Sequence, residues 1–438
     1  LVLVTLDTTR ADHIGERTPY LTELARRGIA FEQAFAPSNA TQPSHATILT
    51  GMWVGDHGVT SNLCVLADAN ATLAERLRAR GYFTAAAVSQ PFLGPGSGFG
   101  QGFDVFLQSA PQAPFDGSST VFRMRQLFEL WEKDQGERPF FLWLHLFDPH
   151  TPYGPPSDYA SAYAERWKSP RPDALAPATL PELDVLPPEM RFLEGVKNAE
   201  LPRWSYAVEV AHADALVENL ASNLAERGWL GRTAWVIAAD HGESLGERDS
   251  WFNHAGLFPE VTHVPLIVNL PGGPEGERVA APVSTVDIAP TLCTWLGLDA
   301  TGMRGIDLLA LANGDEPPPR RLLMEASDGE MAGWLDAENY YVEVTHPRAT
   351  FGLEIAHDAQ GRRVAANKAL KPGSAWLFDR VGDPKCQNDL AAAQAARRDN
   401  CKAELAKLRA QLRGVATIER EMDAAQLEQM RKLGYAGR

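Results

Sequence analysis

The chain has 438 residues, 45% of them hydrophobic and 22% charged, and a formal net charge of −15. That length fits one large α/β domain with a smaller appendage rather than a single small core. The acidity, with no basic stripe to offset it, excludes a nucleic-acid binder, and no apolar run is long enough to cross a bilayer. An anionic substrate stays open, because a metal ion reverses the local field inside an acidic protein.

In chain order, Leu1 to Leu6 is short, apolar and β-branched, and it discharges into Asp7-Thr-Thr-Arg-Ala-Asp12. A buried parallel strand ending in a carboxylate matches the rule that open α/β sheets gather ligands at strand carboxyl ends. The strand already begins at residue 1, so any signal peptide or membrane anchor would lie upstream. Thr18 to Arg27 predicts a helix capped by Thr18, with Pro19 in its first turn. Pro37 to Gly51 reads as a small-residue loop entering a helix near Pro43 and stopping at Gly51, which leaves Thr41 at the loop-to-helix junction. There its hydroxyl is near free backbone N–H groups and the positive end of the helix dipole, a setting for either a cap or an activated nucleophile. Thr72 to Arg80 predicts a capped helix, Phe83 to Val88 a strand, Pro91 to Gly102 a loop and Phe122 to Glu132 a helix.

Pro139 to Phe147 reads as a central strand leading into Asp148-Pro-His-Thr-Pro152. The proline-rich run 153–203 reads as a lid or binding loop. A long amphipathic helix is predicted over Ser205 to Arg227, then strands over Thr233 to Ala239 and Val264 to Leu270, with a helix inside Ser284 to Leu296. Beyond about residue 315 the alternation stops. Strand-like pieces at Leu322 to Glu325, Tyr340 to Val344 and Ala375 to Phe378, with a helix from Asp389 to about Leu412, form a small C-terminal α+β subdomain. The predicted fold class is α/β: a large, mostly parallel sheet flanked by helices over residues 1–315, followed by that subdomain over 316–438. Cys64, Cys293, Cys386 and Cys401 have no metal-ligand spacing, and Cys386 and Cys401 are spaced to pair or to remain free buried thiols.

Several predicted strand ends thus carry the same chemistry: Asp7, His145 through His150, and Asp240-His241. Two carboxylates and an imidazole near the Thr41 hydroxyl make a divalent-metal site, and the histidine tilts it toward zinc or manganese and away from an all-oxygen calcium cage. His145, on a buried strand, reads as a core histidine bonded to backbone. His57 and His263 read as structural, and Asp148 as a turn former.

Thr5-Leu-Asp-Thr-Thr-Arg-Ala-Asp12, Thr41-Gln-Pro-Ser-His-Ala-Thr-Ile-Leu-Thr-Gly51, Phe147-Asp-Pro-His-Thr-Pro152 and Ala239-Asp-His-Gly-Glu243 resemble the sulfatase family of the alkaline phosphatase superfamily. Leu377-Phe-Asp, Asp389-Leu and Leu433-Gly-Tyr435 resemble that family's C-terminal region. The resemblance implies that Asp7, Asp240 and His241 hold a metal and that Thr41 is a nucleophile touching it. Thr8 stands where many sulfatases have a further metal-binding Asp. Asn62, His150 and His254 fall where the family binds the anion or protonates the leaving oxygen. His45 replaces the usual arginine of the nucleophile motif, and Ser89 lies in a region that often carries a lysine. The family's setting also favours a periplasmic or secreted location.

Sulfatases of the main type oxidise Cys or Ser at the nucleophile position to an aldehyde, a route closed to the secondary alcohol of Thr41. An unmodified threonine instead attacks phosphorus directly. The expected activity is therefore metal-dependent hydrolysis of phosphate mono- or diesters, with phosphonate or sulfate esters as further substrates, through a covalent Thr41 intermediate. Alternatives are a sulfatase working without the aldehyde, a phospho-alcohol transferase and a non-catalytic anion binder. The implied cofactor is zinc or manganese, with calcium as a further option, and the partner is a small anionic ester. The sequence carries no sign of oligomeric state.

Overall fold

The computed structural model describes residues 1–90, 92–108, 116–135, 138–175 and 179–420. Leu433-Gly-Tyr435 and Pro91 lie outside the described residues. The central sheet has eight strands, in the order Glu277–Val279, Ile29–Phe31, Leu266–Asn269, Trp235–Ala239, Val2–Leu6, Phe140–Leu146, Phe83–Val88 and Val105–Gln108. Leu266–Asn269 runs antiparallel to both neighbours, and every other pairing is parallel. Alternation along the first strand divides the core, because successive strand residues point to opposite faces. Leu1 and Leu3 pack with Ile48, Leu49 and Trp143, whereas Val2, Val4 and Leu6 pack with Leu127, Val217 and Leu220. The helix Thr41–Thr50 therefore covers one face, and Gly117–Gln135 and Glu200–Glu226 cover the other.

The predicted strand over Val264 to Leu270 is divided at Pro265, which has no N–H for a ladder bond. His263–Val264 pairs with Ala34–Phe35, while Leu266–Asn269 joins the main sheet. Thr18 precedes the Pro19–Arg26 helix without a side-chain cap bond; its hydroxyl accepts from the Gly15 N–H instead. Thr72 does cap Leu73–Ala79, in a reciprocal box with Glu75. The 153–203 connection contains a helix, Ser157–Arg166, that its proline content concealed.

The C-terminal part is a four-stranded antiparallel sheet of Leu322–Glu325, Met331–Leu335, Asn339–Val344 and Ala375–Asp379, with the helix Ala395–Ala410 on one face. Its other face packs on Phe35, Leu257 and Phe258 of the larger part. This sheet rules out the Cys386–Cys401 pairing. Cys386 lies among Met324, Tyr340 and Phe378, Cys401 lies among Leu323, Trp334 and Leu377 on the opposite face, and all four cysteines are free.

Candidate active site

Asp7 and Asp240 extend two neighbouring parallel strands whose last paired residues are Leu6 and Ala239, so the two carboxylates stand side by side. The turn after Asp240 is fixed by backbone contact. The His241 N–H donates to Asp240 Oδ1 at 2.8 Å, and Gly242 sits so close to the next segment that a Cβ there would lie 2.4 Å from the Glu260 carbonyl. His241 Nδ1 is 3.0 Å from the Gly242 carbonyl. A carbonyl only accepts, so Nδ1 carries the hydrogen and Nε2 keeps its lone pair. That Nε2 lies 3.5 Å from Asp240 Oδ2 and 4.0 Å from Asp7 Oδ1.

Both Asp7 oxygens, Asp240 Oδ2, His241 Nε2 and Thr41 Oγ1 are buried with no hydrogen-bond partner. Buried polar atoms are nearly always paired, and a cluster of acceptors without donors is what a cation satisfies. Burial pushes the Asp7 carboxyl up to about 8, and burial together with the Asp7 charge pushes Asp240 up to about 7. Burial also lowers His241 to about 4, which keeps it neutral and able to ligate. One ligand atom each from Asp7, Asp240 and His241 lies within 4.8 Å of the others, so these residues fit a divalent cation.

Thr41 is the first residue of the helix Thr41–Thr50, after an extended Ala40. The helix stops at Gly51, whose φ of 67° is the left-handed value glycine adopts without strain. Asn62 acts at the helix start, where its Oδ1 accepts the Gln42 N–H at 2.8 Å. His45 ties Thr41 to the acids: its Nδ1 donates to the Thr41 carbonyl at 2.8 Å and stands 3.7 Å from Asp240 Oδ2. The other nitrogen accepts from the Thr5 hydroxyl at 3.0 Å, which in turn accepts the Trp143 indole N–H at 2.9 Å. Burial lowers His45 to about 3. His45 is thus a neutral brace behind Thr41, and both of its nitrogens are engaged.

The other predicted residues divide. Ser89 Oγ is spent on the His145 carbonyl and the Thr120 hydroxyl, which does not bring it to the cluster. Thr8 Oγ1 donates to the Pro149 carbonyl; with φ at 48°, Thr8 turns its backbone N–H onto Asp240 Oδ1 at 3.2 Å. His254 lies against His241 with ring centroids 4.4 Å apart and planes tilted by 37°, and His150 meets His254 edge-on at 5.6 Å. Each gives its Nδ1 hydrogen to a carbonyl at 2.7 Å, His150 to Thr151 and His254 to Asn39. Burial, with the neighbouring His254 second, holds His150 well below the ordinary imidazole value.

One residue escaped the sequence reading, and a second reads from sequence as a core histidine. Asn39 Nδ2 returns a bond to the His254 carbonyl at 2.9 Å, clamping the loop before Thr41 to the His254 loop. His145 is not bonded to backbone as expected. Both its ring nitrogens are buried without hydrogen-bond partners, and Nε2 faces Asp7 Oδ2 at 3.5 Å. The register pairing His145 with Thr5 on the Asp7 strand aims it there. Its place three residues before Asp148-Pro-His150 was the available signal. His57 and His263 are structural, the first bonded to Thr47 and Val59, the second to the Glu32 carbonyl.

The sulfatase family model matches residues 1–298. The chain belongs to the sulfatase family. As a member of that family within the alkaline phosphatase superfamily, it is a hydrolase of ester bonds. It is 24% identical over 393 residues to the choline-sulfatase of Rhizobium meliloti (strain 1021), covering 77% of this chain and 75% of that one. Among solved structures, the phosphonate monoester hydrolase of Agrobacterium radiobacter superposes with a TM-score of 0.68 at 20% identity, over 96% of this chain and 99% of that chain. BT4656, solved with its substrate D-glucosamine-2-N,6-O-disulfate, superposes at 0.69 and 17% identity, over 94% and 97%. This sulfatase-family chain shares the fold of both. No helix among its described residues is long and apolar enough to cross a membrane.

Proposed function

We propose that this sulfatase-family protein hydrolyses phosphate or phosphonate esters through a covalent Thr41 intermediate, with zinc or manganese held by Asp7, Asp240 and His241. The carrying observation is the Thr41 hydroxyl, buried and without a hydrogen-bond partner at a helix start, and tied through His45 to the Asp240 carboxylate. A bound divalent cation supplies Lewis acidity, lowering the pKa of a hydroxyl in contact with it and drawing charge from the anion. Thr41 Oγ attacks phosphorus in line while the ester oxygen departs opposite. Asn62 takes the Gln42 N–H and Pro43 has none, which leaves the Thr41 N–H and the positive end of the helix dipole to stabilise the gathering negative charge. His254 or His150 gives a proton to the departing oxygen. His150, held low by burial, is neutral in the free site, and the charge of the arriving anion draws a second proton onto its Nε2. Water then cleaves the phospho-threonine and restores the hydroxyl.

A second reading, hydrolysis of sulfate esters without an aldehyde, is favoured by the likeness to choline-sulfatase and to the disulfate-bound neighbour. The test is a panel of aryl phosphate, bis-aryl phosphate, aryl phosphonate and aryl sulfate, each assayed with zinc, manganese and calcium. The proposal expects a phosphorus ester to turn over fastest with zinc or manganese, and Thr41→Ala to abolish it. Faster turnover of aryl sulfate than of every phosphorus ester would overturn the ranking.

A further inference from the structure

His145 is a buried titratable group that the reaction above leaves without a task. Its side chain is fully buried, and both ring nitrogens lack a hydrogen-bond partner among the described residues. An orphaned imidazole is costly unless something ligates it. What faces it is a carboxyl oxygen: Asp7 Oδ2 lies 3.5 Å from His145 Nε2 and is itself unpartnered. Ligand atoms of His45, His145 and Asp240 also lie within 4.8 Å of one another.

The spacing matches shared coordination better than hydrogen bonding. Two donors each about 2.0–2.1 Å from one tetrahedral zinc sit roughly 3.4 Å apart, whereas an N–H···O bond spans about 2.7–3.2 Å. The same 3.5 Å separates His241 Nε2 from Asp240 Oδ2 on the other side of the acids. Asp7 therefore turns one oxygen toward His241 and the other toward His145. The charges point the same way. Among the described residues, no lysine or arginine pairs with Asp7 or Asp240, whose ionic neighbours are His45, His145 and His241 alone. One dication balances the two carboxylates, which leaves a Thr41 alkoxide and an anionic ester uncompensated in a buried site.

We propose a second divalent-cation position on the sheet side of the carboxylates, ligated by His145 Nε2, Asp7 Oδ2 and Asp240 Oδ2, with the two acids bridging it to the cation held by His241. His45 braces this position rather than ligating it, since its Nδ1 hydrogen is already given to the Thr41 carbonyl. His145 pairs with Thr5, two residues before Asp7, so the second cation lies beneath the acids and fixes their geometry and charge without touching substrate. Bridged cations of this kind sit about 3.5–4 Å apart. This inference rests on the proposed cation at Asp7, Asp240 and His241.

The test loads the stripped full chain with manganese alone. Bound metal is counted by mass spectrometry, and electron paramagnetic resonance is recorded on wild type, His145→Asn and His241→Asn. Two equivalents in wild type with an exchange-coupled signal, falling to one equivalent with an uncoupled signal in His145→Asn, support the proposal. A single uncoupled equivalent in wild type overturns the second position and leaves the first standing. No tight manganese in wild type overturns both. The wild-type count and signal decide the matter even if a variant fails to fold.

Discussion

Cation binding should be strongly proton-coupled, and the structure sets how strongly. Burial raises Asp7 to about 8 and Asp240 to about 7 in the metal-free protein, while His241 at about 4 is already unprotonated. Below about pH 7 a cation displaces two protons, and between about 7 and 8 it displaces one. Apparent affinity then rises about a hundredfold per pH unit and afterwards about tenfold, near three decades from pH 6 to 8, or about 4 kcal/mol. Stability of the metal-free protein moves the other way. A carboxyl with a raised folded pKa binds more protons folded than unfolded, so stability falls as pH climbs toward 8, by about 1.4 kcal/mol per unit for each proton. His45, His145 and His241, all lowered by burial, oppose this only below about pH 6.5, where unfolded imidazoles take up protons. The assay is competition for zinc against a chromophoric chelator at pH 6, 7 and 8, corrected for the chelator's own protonation, with Asp240→Asn alongside. The variant should lose one proton from the slope. A corrected wild-type affinity that changes by less than about threefold would refute the placing of these two acids at the cation.

The remaining predictions concern the residues around the cluster. His254→Ala should slow alkyl esters by about a hundredfold or more while sparing activated aryl esters, whose leaving group needs no proton, and paired kcat measurements show the split. Asn62→Ala removes the acceptor for the Gln42 N–H and should cost about 1 kcal/mol, read as a lowered urea midpoint with unchanged slope. Asn39→Ala removes the side-chain arm of the clamp on His254, keeps the bond from His254 Nδ1 to the residue-39 backbone carbonyl, and orphans the Ser327 N–H, for a loss of about 1–3 kcal/mol in the same titration.

What could be read from the chain beforehand was whatever depends on local pattern. The apolar run Val2–Leu6 and the Trp235–Ala239 strand announced themselves, and so did the acids that follow them, because one carboxylate after a strand reads as a turn or cap but the same chemistry at several strand ends does not. Proline misled in two places where tertiary pairing decided the outcome: Pro265 broke a continuous apolar run into strands of different sheets, and the proline-rich lid concealed Ser157–Arg166. Cys386 and Cys401 looked close in sequence, but a sheet stands between them. The hardest to read were residues whose role is set by register. His145 faces Asp7 because its strand pairs with Val2–Leu6 in one alignment, and Ser89 turns away because its hydroxyl finds the His145 carbonyl. Neither relation leaves a mark on sequence spacing.

The account turns on where a cation binds relative to the Thr41 hydroxyl. Anomalous diffraction from crystals of the manganese-loaded protein measures that directly. The account predicts a peak within about 2.0–2.3 Å of Thr41 Oγ1, a carboxylate oxygen of Asp7, one of Asp240 and His241 Nε2. The absence of a peak at this position, or one at the acids with Thr41 turned away and another nucleophile in its place, would contradict it.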